Sequence, residues 1–372
     1  VCLRPAVRGR AQERRAACGA GVRRPGKARS AHHKLLHFLG RSSWDDRAVR
    51  RTATRYAITA MQQHAPVTTW IIDDTGFLKQ GKHSVGVQRQ YTGSAGKIAN
   101  CQIGVSLSVS NGLEHLPIDF DLYLPADWAA DPARRAKAKI PEDLGFQTKI
   151  DLALDQIERA VRDGLPGEIV LADADYGKAP LFRETVRLLG FDYAVGIPKT
   201  LQVFPLDAGE RRAGEAQRVE ALAEGLDRSA FRRITWREGT RSKLSARFCL
   251  RRVKVAQEDG FDPGKKEVVW LLMEWPEGER APTKFYLTTL PRRWSKKQIV
   301  RHLKERWRTE RAYEELKGEL GLDHFEGRSF VGWHHHVSVV LCCYAFVVAE
   351  RMRHFSPSAP GPRATRSVDL AA

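Results

Sequence analysis

Apolar residues along the chain change period several times, and each change marks an element. From Ala31 to Gln63 the spacing is helical. Leu35, Leu36, Phe38 and Leu39 come first, and the start signal SSWDD precedes a second helix over Ala48 to Met61. From Val67 the period becomes strand-like in VTTWIID, HSVGVQRQY and NCQIGVSLSVSN, with Gly-containing turns between them and a further extended piece near LPIDFDLYL. This predicts an antiparallel meander. The polar, Pro-bounded stretch PADWAADPARRAKAKIPEDLG follows, after which Ile150, Leu154, Ile157 and Val161 recur at helical spacing and predict an amphipathic helix. EIVLAD reads as a short buried strand ending in an acid, PLFRETVRLLG as a helix and DYAVGI as another strand. A meander, a helix and then alternating strand and helix give an α/β order with a mixed sheet.

Between residues 200 and 290 the alternation stops. RRITWRE, ARFCLRRVKVA, KEVVWLLMEW and TKFYLTTL are all strand-like with turn signals between them, so this segment reads as a β-rich insertion, with room for its last strand to rejoin the main sheet. After Pro291 the chain is helical again. SKKQIVRHLKERWRTERAYEELKGEL reads as one long helix ending at Gly321, a C-terminal cap, and a second apolar helix is predicted from about Val337 to Arg351. Residues 1–30 lack apolar periodicity and do not begin with Met, so they read as disordered or as a mis-assigned start, and 354–372 are disordered by composition. The expected units are thus 1–30, a helical region 31–66, a core in two parts (67–199 and 291–353), the β-rich insertion 200–290 between them, and the tail 354–372.

Charge narrows the class of partner. Lys and Arg number 62 against 44 Asp and Glu, a net of +18 over 372 residues, which favours a polyanion. Residues 1 to 60 hold 15 Lys and Arg against 3 acids, so the helical region 31–66 and the tail before it are candidate DNA contacts. A membrane surface is the other polyanion. No run of about 20 apolar residues occurs; the longest stretch, Val337 to Ala349, is interrupted by Ser338 and reads as too short to span. Six cysteines show no paired C-x-x-C spacing, which argues against a zinc ribbon or a disulfide framework and suits a reducing cytosol.

Asp73 and Asp74 close the apolar run TWIIDDT, and Asp173 closes IVLAD. Carboxylates at strand ends of an α/β sheet sit at a rim where ligands bind, although an Asx-turn or cap uses such a residue equally well. Two such ends in a basic chain raise the case for a hard cation, because Mg2+ takes a few carboxylate oxygens and leaves room for water and phosphate. The last long helix offers a third acid. At about 100° per residue, Arg306, Glu310 and Lys317 fall within roughly 40° of one another, whereas Glu315 lies opposite. Such a stripe presents a carboxylate between two phosphate-binding cations; a solvated face with i,i+4 ion pairs accounts for the same spacing.

The blocks WIIDDTGFLKQGKHSVGVQRQY, LADADYGKAPLFRE and ERWRTERAYEELKGELGLDHFEGRSFVGWHHH resemble the three motif blocks of DDE-superfamily transposases from bacterial insertion sequences. The resemblance covers about residues 30 to 355. It implies an RNase H-like mixed-sheet core with a β-domain inserted before the glutamate. Carried over residue by residue, it implies Asp74, Asp173 and Glu310 as catalytic metal ligands, with Arg306 and Lys317 from a Tyr-x2-Arg-x3-Glu-x6-Lys signature. Two Mg2+ ions, with Mn2+ able to substitute, would serve cleavage at the element's ends and strand transfer into target DNA. Double-stranded DNA is the implied partner, a homodimer the implied assembly, and the nucleoid in a bacterial cytoplasm the implied place. The alternatives are a decayed copy that binds DNA without cutting it and a nuclease of the same fold that does not join. Two positions depart from the signature: Leu303 stands at its tyrosine, so the chain does without that aromatic or uses another such as Trp307, and Asp175 stands where glycine is usual in the D-A-x-Y-G turn. Asp73 is the rival to Asp74.

Other residues invite competing readings. Lys79, Lys82, His83 and Arg89 crowd the turn after Asp74 and are candidate phosphate contacts, or a solvated hairpin. His334, His335 and His336 have the chemistry of metal ligands, but consecutive residues splay over different faces, and a DNA contact or a helix cap fits them better. Trp236, Trp270 and Trp275 could stack on a distorted base, though core packing accounts for them more simply.

Overall fold

The computed structural model describes residues 25–40, 42–238, 243–256 and 268–354. The expectations for 1–24 and 355–372 lie outside these residues. Two helices open the described chain, α1 (Pro25–Gly40) and α2 (Asp46–Gln62), the second capped by Asp45, whose side chain accepts from the Ala48 amide. The meander follows as β1 (Thr69–Leu78), β2 (Gln88–Thr92), β3 (Lys97–Ser110) and β4 (His115–Tyr123). β1 does not stop at its acids. β3 is 14 residues long and stays paired with β1 from Thr69↔Ser110 to Leu78↔Cys101, which carries the strand through Asp73 and Asp74.

The polar stretch forms two short helices, α3 (Ala126–Ala130) and α4 (Pro132–Ala138), and leads into α5 (Lys149–Arg162). A capping box between Thr148 and Asp151 starts α5. Its buried face is turned from the expected stripe: Val161 is exposed, while Gln156 is buried and donates to the carbonyl of Val105 and to Asp121. Then come β5 (Ile169–Ala172), α6 (Ala174–Gly177), α7 (Pro180–Leu188) and β6 (Asp192–Ile197). β1, β5 and β6 run parallel, and β1–β3 and β3–β4 are antiparallel, which is the mixed RNase H-like core.

The segment expected as a β-rich insertion supplies β7 (Gln202–Pro205), β8 (Gln217–Arg218), α8 (Val219–Glu224), β9 (Arg232–Glu238), β10 (Lys243–Val255), β11 (Val268–Pro276) and β12 (Lys284–Thr288). These strands continue the core sheet, because β12 pairs with β6 from Phe285↔Ile197 to Thr288↔Ala194. One sheet results, in the order β2-β3-β1-β5-β6-β12-β11-β10-β7-β8, with β4 also on β3 and β9 also on β10.

The long helix expected after Pro291 is broken. α9 (Lys296–Leu303) ends in a 3-10 turn at Lys304–Arg306 before α10 (Trp307–Gly318) begins. Beyond it Gly321 adopts φ +70°, and the Leu322 amide reaches back to the Leu316 carbonyl, closing α10 as its glycine predicts. α11 (Phe330–His354) starts seven residues before Val337 and is 25 residues long. By length and composition it could cross a membrane, but it is a core helix: Trp333, Val337, Leu341, Tyr344 and Val348 are buried, and it packs on α2 and β4. The sheet carries apolar layers on both faces, with Trp70 and Ile72 of β1 in one and Ile71 in the other, beside Ile299, Val300 and Leu303 of α9.

Candidate active site

The acids meet where the pairing of β1 with its two neighbours differs. Parallel pairing with β5 ends at Ile71↔Leu171, so Asp73 and Asp74 lie beyond β5 at the rim although they are still inside β1. Asp173 follows β5 directly and caps α6, its Oδ1 accepting from the amides of Asp175 at 2.8 Å and Tyr176 at 3.4 Å. Two glycines hold that turn on β6. A Cβ at Gly177 would stand 2.0 Å from the carbonyl oxygen of Gly196, and one at Gly196 would stand 2.9 Å from the amide nitrogen of Ala174.

Strand alternation sends the neighbouring aspartates to opposite faces. Asp73, Thr75 and Phe77 face α10. Arg306 Nη1 lies 2.5 Å from Asp73 Oδ2 and Nη2 lies 3.0 Å from Glu310 Oε1, so one guanidinium joins the buried aspartate to the exposed glutamate. One α10 length further on, Lys317 Nζ donates to Thr75 Oγ1 at 2.7 Å, the Gly76 carbonyl at 3.0 Å and Ser94 Oγ at 3.1 Å. Tyr313, between them, bonds to Ser106 at 2.6 Å, opposite Asp73 in the β1–β3 register. Asp74 faces the other way, with Lys149 Nζ 2.8 Å and Tyr176 Oη 3.4 Å from its Oδ2.

Burial sets the electrostatics. It pushes the Asp73 carboxyl up to about 7, against the pull of Arg306 and with the help of Asp173 and Asp74. Burial likewise raises Asp173, again opposed by Arg306. Arg306 loses hydration, but Asp73, Glu310 and Asp173 more than offset this and hold its pKa above the usual arginine value. Burial and the adjacent acids raise Tyr176 and Tyr313 well above the ordinary phenol, so both stay neutral beside the acids. Lys317 is lowered by burial, with only Asp323 opposing.

The remaining sequence candidates are dispersed. Lys79 donates to the Phe325 carbonyl at 2.6 Å, while Lys82 and Arg89 are exposed on the segment between β1 and β3. Asp175 points outward, its side chain 68% exposed and paired with Lys178 at 2.8 Å. Leu303 is buried in the apolar layer under α9, away from the acids. Trp307 lies under the guanidinium of Arg237. Trp236 packs edge-on to Phe248 beneath Lys304, Trp270 lies under Arg252, and Trp275 stands against Phe231, so each is committed to packing. His334 bonds to the Phe330 carbonyl, His335 to those of Leu39 and Trp44, and His336 to that of Gly321. Among the described residues no three His, Cys, Asp or Glu side chains converge as a ready metal cage. Sequence reasoning passed over Lys149, Tyr176 and Tyr313. The Thr148 to Asp151 capping pattern, which fixes Lys149 at the first position of α5, was the available signal for the lysine.

Paired acids thus lie at the rim of an RNase H-like sheet, beside a glutamate and two cations from a late segment of the chain, and comparison with known proteins gives the family. Residues 20–243 match the family described as DDE superfamily endonuclease, and residues 146–346 match the transposase DDE domain. The chain belongs to this DDE superfamily. It is also 30% identical over 165 residues to a probable transposase for insertion sequence element IS701 from Microchaete diplosiphon; the match covers 44% of this chain and 40% of that relative.

Proposed function

We propose that the protein is a transposase that cuts DNA at the ends of an insertion sequence and joins the freed ends to target DNA. The observation that carries this is the single guanidinium of Arg306 joining Asp73 to Glu310 beside Asp173. The carboxylate donors are the hard oxygen type that Mg2+ takes, and the crowding of Asp73, Asp74 and Asp173 leaves negative charge that a divalent ion, Mg2+ or Mn2+, would satisfy better than one arginine. Asp173 and Glu310 are the proposed ligands from the second and third motifs. For the first motif Asp74 is the sequence candidate, but the side of β1 favours Asp73, since it faces α10 and Glu310 whereas Asp74 faces Lys149.

When bound, two such ions would activate the attacking oxygen and offset charge on the phosphorus. Water attacks the phosphodiester and a 3′-hydroxyl leaves; that hydroxyl then attacks a target phosphodiester and displaces a second 3′-hydroxyl. Arg306 and Lys317 stand where they can exchange their protein acceptors for phosphate oxygens, and Lys79, Lys82 and Arg89 can extend the contact along the backbone. Two copies of the chain acting on nucleoid DNA in the cytoplasm would pair the two ends.

The test incubates the protein with labelled element ends, a target plasmid and Mg2+. Joined product is expected. Cut ends alone would make it a nuclease, and a bound complex without chemistry a decayed copy. Asp173→Asn and Glu310→Gln should abolish cutting while retaining binding. Asp73→Asn should match them and Asp74→Asn should keep measurable cleavage; the reverse order returns the first-motif role to Asp74.

A further inference from the structure

The cations nearest the acids are already engaged by the protein: Arg306 by Asp73 and Glu310, Lys317 by Thr75, Gly76 and Ser94, and Lys149 by Asp74. Lys304 is likewise bound to Glu274 within a box of Trp236, Phe248 and Tyr286. α9 and the turn before it are different. Arg293, Lys297 and Arg301 are exposed, and no acid among the described residues forms an ion pair with any of them, whereas neighbouring Arg292 is held by Glu210.

The first turn of α9 is charged against its own stability, although Arg301 in the last turn suits the dipole. Lys296 and Lys297 occupy the first turn, which has no acid, although the positive end of the helix dipole lies there. Lys297 and Arg301 stand at i,i+4, where like charges repel. The helix is held regardless, by the Ser295–Gln298 capping box and by burial of Ile299, Val300 and Leu303. A helix held by capping and burial, whose exposed cations have no acid partner among the described residues, is a surface suited to an external polyanion.

Its position is defined as well. His302 bonds to Thr69 at 2.9 Å, four residues before Asp73 on β1, which places the end of α9 about 13 Å from the acids at strand rise. That separation corresponds to roughly four base pairs of duplex, within reach of DNA whose reacting phosphate lies at the acids. We propose that the exposed face of α9, carried by Lys297 and Arg301 with Arg293, grips the sugar-phosphate backbone of duplex DNA flanking the reacting phosphate, without reading its sequence. This rests on the reading of the protein as a DNA-processing enzyme.

The test measures binding of the full chain to a labelled duplex of arbitrary sequence by fluorescence anisotropy across a salt series, together with thermal unfolding. Lys297→Glu/Arg301→Glu should weaken binding roughly ten- to a hundredfold near physiological salt and lower the slope of log affinity against log salt by about 2. Its melting temperature should stay close to that of the unaltered protein, because the capping box and the buried Ile299, Val300 and Leu303 that hold α9 are untouched. Lys137→Glu/Arg211→Glu, an equal charge change on exposed positions elsewhere, should weaken binding clearly less. Lys297→Gln/Arg301→Gln should fall between wild type and the charge reversal. An unchanged affinity and slope, a loss matched by the control pair, or a change in oligomeric state with DNA binding intact would each overturn the proposal. Failure of the unaltered protein to bind any duplex would instead sink the DNA-processing reading itself.

Discussion

Arg306 Nη1 stands 2.5 Å from Asp73 Oδ2, tying the start of α10 to a strand 233 positions earlier. The same guanidinium reaches Glu310, so the part of the site that comes from the end of the chain is fastened to the part that comes from its beginning by one side chain. Arg306 is the cation that offsets Asp73 within the acidic cluster, as Lys149 offsets Asp74.

Arg306→Gln should therefore lower thermal stability in EDTA, by about 1–3 kcal/mol once partial exposure is allowed for, because Asp73 is left buried without a charge partner. Added Mn2+ should raise the melting temperature of the variant more than that of the unaltered protein. Equal melting temperatures in EDTA and equal metal responses would show that Arg306 does not carry this role.

Asp73 itself gives a pH signature. Its folded pKa, about 7, lies above the unfolded value of 3.8, so the folded state holds the proton more tightly. The resulting stabilisation is complete below about pH 4 and is lost as pH rises through 7. Asp73→Asn removes this dependence. In EDTA the difference in melting temperature, variant minus unaltered protein, should therefore be more positive at pH 8 than at pH 4. A difference that stays flat with pH would show that the carboxyl is not held protonated by burial.

Much of this site was legible in the sequence, and the losses have physical causes. The strand period gave β1, β3 and β5, and the Arg306–Glu310 spacing on a helix gave a pair that forms at 3.0 Å. Apolar patterning could not show that β1 continues past its acids, since that depends on the length of β3. Nor could it show which aspartate faces α10, because adjacent strand positions always point apart and only packing says which side is covered. The break at Lys304–Arg306 was hidden for a related reason: the segment has good helix formers throughout, and the turn is imposed by α9 and α10 packing on different parts of the sheet. The histidine run misled by residue type, while its carbonyl partners come from α1, the residues between α1 and α2, α11 itself and the loop after α10.

His302 anchors α9 and is expected to make it sensitive to acid. Burial pulls its pKa down from 6.5 to about 4 while its ring bonds to Thr69. The folded state thus favours neutral imidazole, and the stability this gives is present above about pH 6.5 and lost as pH falls through 4. His302→Gln, which can keep a hydrogen bond to Thr69, should flatten the fall in melting temperature between pH 6.5 and 4. An unaltered acid limb would assign that loss to another buried group such as His115, whose pKa burial lowers to about 3.

The turn that carries Asp173 is tightly packed against main chain. α6 lies so close to β6 that a methyl group at Gly177 would stand 2.0 Å from the Gly196 carbonyl oxygen and 2.8 Å from Val195 Cβ. The first is main chain in the interior of a paired strand and has no rotamer through which to yield, so α6 must lift as a unit and take Asp173 with it. Gly177→Ala should cost about 1–3 kcal/mol by overpacking and should reduce DNA cleavage more than it reduces DNA binding. Gly145→Ala, where a methyl group meets nothing within 4 Å, should stay within about 0.5 kcal/mol of the unaltered protein. Thermal unfolding of the two variants separates a local clash from a general sensitivity to losing glycine, and a Gly177→Ala protein as stable and active as the original would mean that the seat of Asp173 is softer than its packing implies.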